Sequence, residues 1–156
     1  MSQEVVIRSA REDEIPLLKE LAVKQIASEL SELELPEKER IMREGMQRLE
    51  GFFRRPGNEF YVAETKEGRM AGYVWFGVSE RPFSGMKVGW IYDIEVLPPY
   101  RGKGIGEGLM RHALKIAKER GFAQTGLMVN QKNRTAWSLY EKLGFQTEYR
   151  TMSRQE

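Results

Sequence analysis

Residues Trp90 to Gly108 read Trp-Ile-Tyr-Asp-Ile-Glu-Val-Leu-Pro-Pro-Tyr-Arg-Gly-Lys-Gly-Ile-Gly-Glu-Gly. The second half of this run has the residue types that hold phosphates. An apolar strand is followed by a proline stop, a basic glycine-rich turn and the start of a helix. A helix start offers unpaired N–H groups and the positive end of a dipole. Glycines let the backbone approach an anion with no Cβ in the way. Arg101 and Lys103 add positive charge. The chemistry predicted here is the binding of a phosphorylated cofactor.

Two familiar phosphate loops do not fit. A nucleotide-triphosphate P-loop needs a glycine five residues before its Gly-Lys pair and a Ser or Thr directly after it. Gly102-Lys103 has Leu97 at the first place, and Gly104 then Ile105 after the lysine. A dinucleotide-binding turn needs G-x-G-x-x-G. Counted from Gly102 the last position is Glu107, and from Gly104 it is Leu109.

Several classes are excluded by composition. The chain has 156 residues, enough for one domain with a full core, so a single domain over 1–156 is expected. Hydrophobic residues make up 40% and charged residues 31%, a globular balance. The formal net charge of +2 gives no argument for nucleic acid. There is no cysteine, which removes disulfides, a cysteine nucleophile and thiolate metal sites, and no metal is expected. No apolar run is long enough for a membrane span. Arg8 and Arg11 stand among acids near the N-terminus, so no signal peptide is expected and the cytoplasm is the expected compartment.

The elements that must position the turn follow from periodicity. Val5-Val6-Ile7 reads as a strand. Ile15, Leu18, Leu21, Ala22 and Ile26 recur at helical spacing. A second helix opens at Pro36 and carries Met42, Met46, Leu49 and Phe53 on one face. Residues 60–64 and 70–78 read as a hairpin, 79–87 as a loop and 88–97 as a strand. A helix over 105–120 buries Leu109, Ala113, Ile116 and Ala117, with Gly121 as its C-terminal glycine. A buried strand over 125–129, a helix over 133–143 and a last strand over 145–152 complete the series. The expected fold is α/β (α+β): one mixed, mostly antiparallel sheet with helices on both faces.

A third glycine pattern, R/Q-x-x-G-x-G/A, is matched fully by Arg101-Gly102-Lys103-Gly104-Ile105-Gly106. Ile7-Arg8-Ser9-Ala10 before Asp13, and Asn133-x-x-Ala136-x-x-x-Tyr140-Glu141-Lys142-Leu143-Gly144-Phe145, lie in order around it. With these motifs the chain resembles the GNAT superfamily of acetyl-CoA-dependent N-acetyltransferases over nearly its whole length.

The resemblance implies a splayed pair of central strands with the pantetheine arm of acetyl-CoA in the gap. Ile94 and Val96 would offer it backbone groups. The pyrophosphate would lie on N–H groups of Arg101, Gly102, Lys103, Gly104, Ile105 and Gly106. Asn133 matches an asparagine beside the pantetheine and equally suits a helix N-cap. Tyr140 matches the tyrosine that points at the cofactor sulfur. A phenol can protonate the departing thiolate, and an aromatic on a helix face can equally be core.

The base is the open part. An alkylammonium must lose its proton before attack. Relatives often carry a glutamate at places matching Trp90 or Tyr92. Relatives that acetylate protein N-termini carry one on the next strand, at Met128 here. None of the three is an acid, which argues against the N-terminal type. Asp93 and Glu95 remain. Strict alternation puts them on one side of their strand, opposite Tyr92 and Ile94. Two such acids are costly to bury. They serve as base, or pair with basic side chains, or hydrate at the splay; water or a neutral amine substrate could replace a protein base.

Without cysteine, attack is expected directly within a ternary complex. The acceptor is expected to be a small-molecule amine. A protein amine and a non-catalytic acyl-CoA sensor are the alternatives. Glu29, Glu32 and Glu34 could attract a cationic acceptor. His112, the only histidine, is expected to be a helix-flank residue. A homodimer is suggested by family analogy alone.

Overall fold

The computed structural model describes residues 4–156; residues 1–3 of the expected domain lie outside them. The order is β1 (Val5–Ser9), α1 (Ile15–Ser28), α2 (Lys38–Phe53), β2 (Glu59–Thr65), β3 (Met70–Glu80), β4 (Lys87–Val96), α3 (Ile105–Glu119), β5 (Thr125–Leu127) and α4 (Arg134–Lys142). Strands run β1-β2-β3-β4-β5 in one sheet. The first three pairings are antiparallel and β4–β5 is parallel.

Strands β2 and β3 are buried almost continuously because both faces are covered. On one face Phe60, Val62, Tyr73 and Trp75 pack under Leu18 and Ala22 of α1, with Phe52 and Phe53 of α2 alongside. On the other, Ala63, Val74, Phe76 and Ile91 pack under Leu109, Met110, Ala113 and Ala117 of α3. The expected stripe of α3 is therefore the buried one, with Ile116 at its border.

Several expectations change. The strand expected over 125–129 is only Thr125–Leu127 and is half-buried rather than buried. Strands β3 and β4 take up Ser79, Glu80 and Lys87, so the loop narrows to 81–86. The last strand, over 145–152, is absent: this segment has no regular structure. Phe145 alone is half-buried, against the α3 core, while the residues after it are exposed. Alternating apolar and polar residues make a strand only where a ladder partner and a face to bury are supplied. Instead Arg81 bonds Glu148, and the rings of Phe83 and Tyr149 lie 5.9 Å apart.

The β3–β4 register carries a further change. Trp75 faces Asp93 but Phe76 faces Ile91, so Tyr92 has no partner and forms a bulge. Alternation fails there. Tyr92 stacks on Trp75 at 4.6 Å on the α1–α2 face, the face that also carries Asp93 and Glu95 opposite Trp75 and Tyr73. Ile94 and Val96 lie on the α3 face. The expected placement of Tyr92 opposite the two acids is overturned.

Candidate active site

Strand β4 is paired with β5 only from Gly89 to Ile91. Beyond Ile91 it runs on to Val96 with that edge free, while β5 ends at Leu127. At the vertex Trp90 lies so close to β5 that a Cβ on Gly126 would meet its ring at 2.5 Å. The result is a wedge-shaped gap between two parallel strands.

The free edge belongs to the expected residues. Leu97 N–H bonds Ala71 O of β3 at 2.8 Å. Backbone direction alternates along a strand, so Glu95 also faces β3, and Ile94 and Val96 turn their N–H and C=O toward the gap. Val96 O already accepts from Arg101 Nε at 2.8 Å, which anchors the basic turn to the strand end.

The turn is shaped as an anion cradle. Leu97 is extended, Pro98–Tyr100 make one 3-10 turn, and Gly102 and Gly104 adopt φ of 77° and 82°. These left-handed conformations are strained for any residue with a Cβ. They aim the backbone of residues 102–107 outward. The N–H groups of Gly102 to Glu107 have no hydrogen-bond acceptor among the described residues. Those of Ile105, Gly106 and Glu107 sit in the first turn of α3, where no intrahelical acceptor exists. Glu107 would oppose an anion, but Lys142 pairs with it at 2.6 Å and Arg111 stands 3.7 Å away.

At the C-terminal side, Asn133 Oδ1 accepts from Ala136 N at 3.2 Å and caps α4. Its Nδ2 donates to Glu29 Oε1 at 2.9 Å. Asn130 Nδ2 donates to Glu29 O at 3.0 Å. The end of α1 is thus tied to the loop before α4. Of the three acids expected to draw a cation, Glu32 pairs with Lys132, and Glu34 accepts from Ser31 N at 3.1 Å. Glu29 has no Lys or Arg partner among the described residues, nor do Asp93 and Glu95.

Tyr140, seven residues along α4 from Asn133, packs against the α3-side core with Phe145 at 5.9 Å. Its hydroxyl makes no hydrogen bond within the described residues. Burial, then the charges of Asp93 and Glu29, push the phenol up to about 12. A phenol so placed stays protonated near neutral pH.

Asp93 is 8% exposed. Burial pushes its carboxyl up to about 7 against the hydrogen bond from Tyr73, and Glu95 and Glu29 push the same way as burial. Tyr73 Oη donates to Asp93 Oδ2 and stands 3.4 Å from Glu95 Oε2. Tyr73 was not among the expected site residues. Its partners lie 20 and 22 positions away, and only the β3–β4 register brings them together.

The remaining positions are accounted for. Tyr92 donates to Val78 O at 3.1 Å, and Met128 is 82% exposed. His112 is half-buried on α3, its ring 4.6 Å from Tyr61, and burial lowers its pKa first, then Lys115. No group of three or more His, Cys, Asp or Glu stands where it could hold a metal ion among the described residues. No helix among them is long and apolar enough to cross a membrane.

A strand pair that parts beside a helix start, a phenol and a buried carboxyl make up the candidate site. Residues 24–145 match the Acetyltransferase (GNAT) family, and the chain belongs to that family. It is 37% identical over 91 residues to a mycothiol acetyltransferase of Saccharomonospora viridis, covering 56% of this chain and 30% of the relative. It is 41% identical over 85 residues to the streptothricin acetyltransferase of Streptomyces lavendulae, covering 54% and 43%. The chain therefore spans less than half the length of these relatives. A solved structure from Pyrococcus furiosus, assigned as an acetyl transferase, superposes with a TM-score of 0.81 at 28% identity, covering 98% of this chain and all of that one.

Proposed function

We propose that this chain transfers the acetyl group of acetyl-CoA to a primary amine of a small molecule. The observation that carries this is the continuous polar track along the gap. The strand edge of Ile94 and Val96, which pairs with no neighbouring strand, leads from the wedge to the N–H groups of residues 102–107, which have no acceptor among the described residues. An extended amide-bearing arm would pair along the first as an added strand does, and a pyrophosphate would sit on the second. The mycothiol and streptothricin acetyltransferase names of the relatives support a small-molecule acceptor.

The chemistry is direct. Asp93 takes a proton from the acceptor ammonium, breaking N–H and forming O–H. The freed nitrogen attacks the thioester carbon. As the tetrahedral intermediate collapses the C–S bond breaks and Tyr140 passes its proton to the sulfur; the second proton of the attacking nitrogen leaves through water to restore the Tyr140 hydroxyl, and Asp93 releases the first to solvent. Asp93 suits the first step because a base titrating near neutrality is both ionised and basic enough to be useful. Tyr140 suits the last because its hydroxyl is free.

The test is a panel of amines (polyamines, amino acids, aminoglycosides, peptides) incubated with acetyl-CoA, with free coenzyme A and acetylated product both measured. Initial rates should give intersecting lines. Thioester hydrolysis with no acetylated amine, or parallel lines, would overturn the reading.

A further inference from the structure

We propose that Tyr73 is a positioning residue for the acyl transfer: its buried hydroxyl fixes the Asp93 carboxylate and makes it, rather than Glu95, the base. The proposal rests on the reading of Asp93 as base.

Geometry separates the two tyrosines of the site. Tyr140 has a free hydroxyl on α4. Tyr73 is fully buried in the centre of β3, and its hydroxyl is shared between two carboxylates of β4. The groups acting on Asp93 are Tyr73 from β3, Glu95 and the Ile94 N–H from β4, and Glu29 just past α1; Tyr140 on α4 feels the charge of Asp93 in turn. Of these only Tyr73 and the Ile94 N–H favour the ionised carboxylate; burial, Glu95 and Glu29 oppose it.

A phenol so placed is a permanent donor. Burial first, and then Asp93 and Glu95, hold Tyr73 far above the ordinary tyrosine range. It cannot give its proton away during turnover. What it can do is choose. A hydroxyl has one proton to donate, and it goes to Asp93 at the shorter contact, leaving Glu95 at 3.4 Å. A carboxylate that accepts such a bond is held in its charged form. Asp93 is thereby kept ionisable at a depth where an unsupported carboxyl would stay protonated. The bulge at Tyr92 makes this possible, because it brings Asp93 opposite Trp75 and Glu95 opposite Tyr73 on the same face.

The experiment is the pH dependence of kcat/KM for the best acceptor of the panel. In Tyr73→Phe the acidic limb should move up by about one pH unit or more. The KM for acetyl-CoA should change by less than about threefold, because Tyr73 acts through Asp93 and not on the donor, and the rate should fall more on the acidic limb than on the high-pH plateau. A limb that stays in place, or a loss of equal size at all pH values, would assign Tyr73 to packing and overturn the proposal. Glu95→Gln provides a second variant of opposite sign. It removes a like charge and leaves only a weaker, neutral acceptor, so the limb should move down; an upward move or no move overturns the proposal without Tyr73 being touched. Asp93→Asn separates the levels: an unchanged limb there overturns the base reading itself and the Tyr73 role with it.

Discussion

Replacing Asp93 by Asn should make this protein more stable and less active at once. The carboxyl is pushed from its ordinary 3.8 to about 7, first by burial. The sign follows from linkage. A group whose pKa is raised on folding adds stability while it is protonated. That contribution is complete below about pH 4 and is lost as the pH rises through about 7. Above that point the fold holds an unpaired buried charge. The gap between 3.8 and about 7, at about 1.4 kcal/mol per pH unit, corresponds to ~4 kcal/mol at most. Asparagine resembles the protonated acid: it is neutral, and its amide oxygen can still accept from Tyr73. At pH 8.5 the variant should gain roughly 2–4 kcal/mol, or about 5–15 °C in Tm for a chain of this length. At pH 4 the two melting curves should coincide. Its kcat/KM near pH 7 should fall by about a hundredfold, the low end of general-base contributions, and recover in part at high pH where the amine loses its proton unaided. Differential scanning calorimetry from pH 4 to 9, with coenzyme A release on the same samples, reads both. A variant less stable than wild type at pH 8.5, or a Tm difference independent of pH, would refute the reasoning.

Other outcomes follow from the same geometry. Tyr140→Phe should leave the melting temperature unchanged, since the hydroxyl makes no bond within the described residues, and reduce kcat by about a hundredfold with little change in the KM for acetyl-CoA. Arg101→Glu should weaken acetyl-CoA binding by about tenfold in titration calorimetry, ~1.4 kcal/mol, and by less at high salt; unchanged affinity would remove the anion from this turn. Glu29→Gln keeps an oxygen for Asn133 Nδ2 but removes the charge. It should raise KM about tenfold for an acceptor with two amines, ~1.4 kcal/mol, and hardly at all for a monoamine; equal effects on both would place Glu29 outside the acceptor path.

Much of the layout was legible in the chain because its signals are local. The helix stripe of α3, the proline stop and the glycines that need positive φ are statements about neighbours a few residues apart. The strand over 145–152 was misread for the complementary reason: local sequence reports a capacity to pair, and among the described residues this segment forms no ladder with any strand. The side assignment of Tyr92 failed because a bulge is a property of two strands together, and one strand's sequence does not carry it.

By itself the sequence located the glycine-rich turn proposed to hold the pyrophosphate, since Gly102 and Gly104 stand in a basic strand-to-helix junction and take positive φ there. It determined Asn133 as a helix cap, and the absence of cysteine chemistry. Tertiary structure decided the surroundings of the proposed base. Asp93 and Glu95 are an ordinary pair of acids until the β3–β4 register sets them against Tyr73. Glu29 is one acid among several until Asn130 and Asn133 fix it while Lys132 neutralises Glu32. A carboxyl's basicity depends on its burial and on every charge and donor within a few ångströms, and for Asp93 burial and the decisive donor, Tyr73 of β3, together with Glu29 at the end of α1, come from outside its own strand.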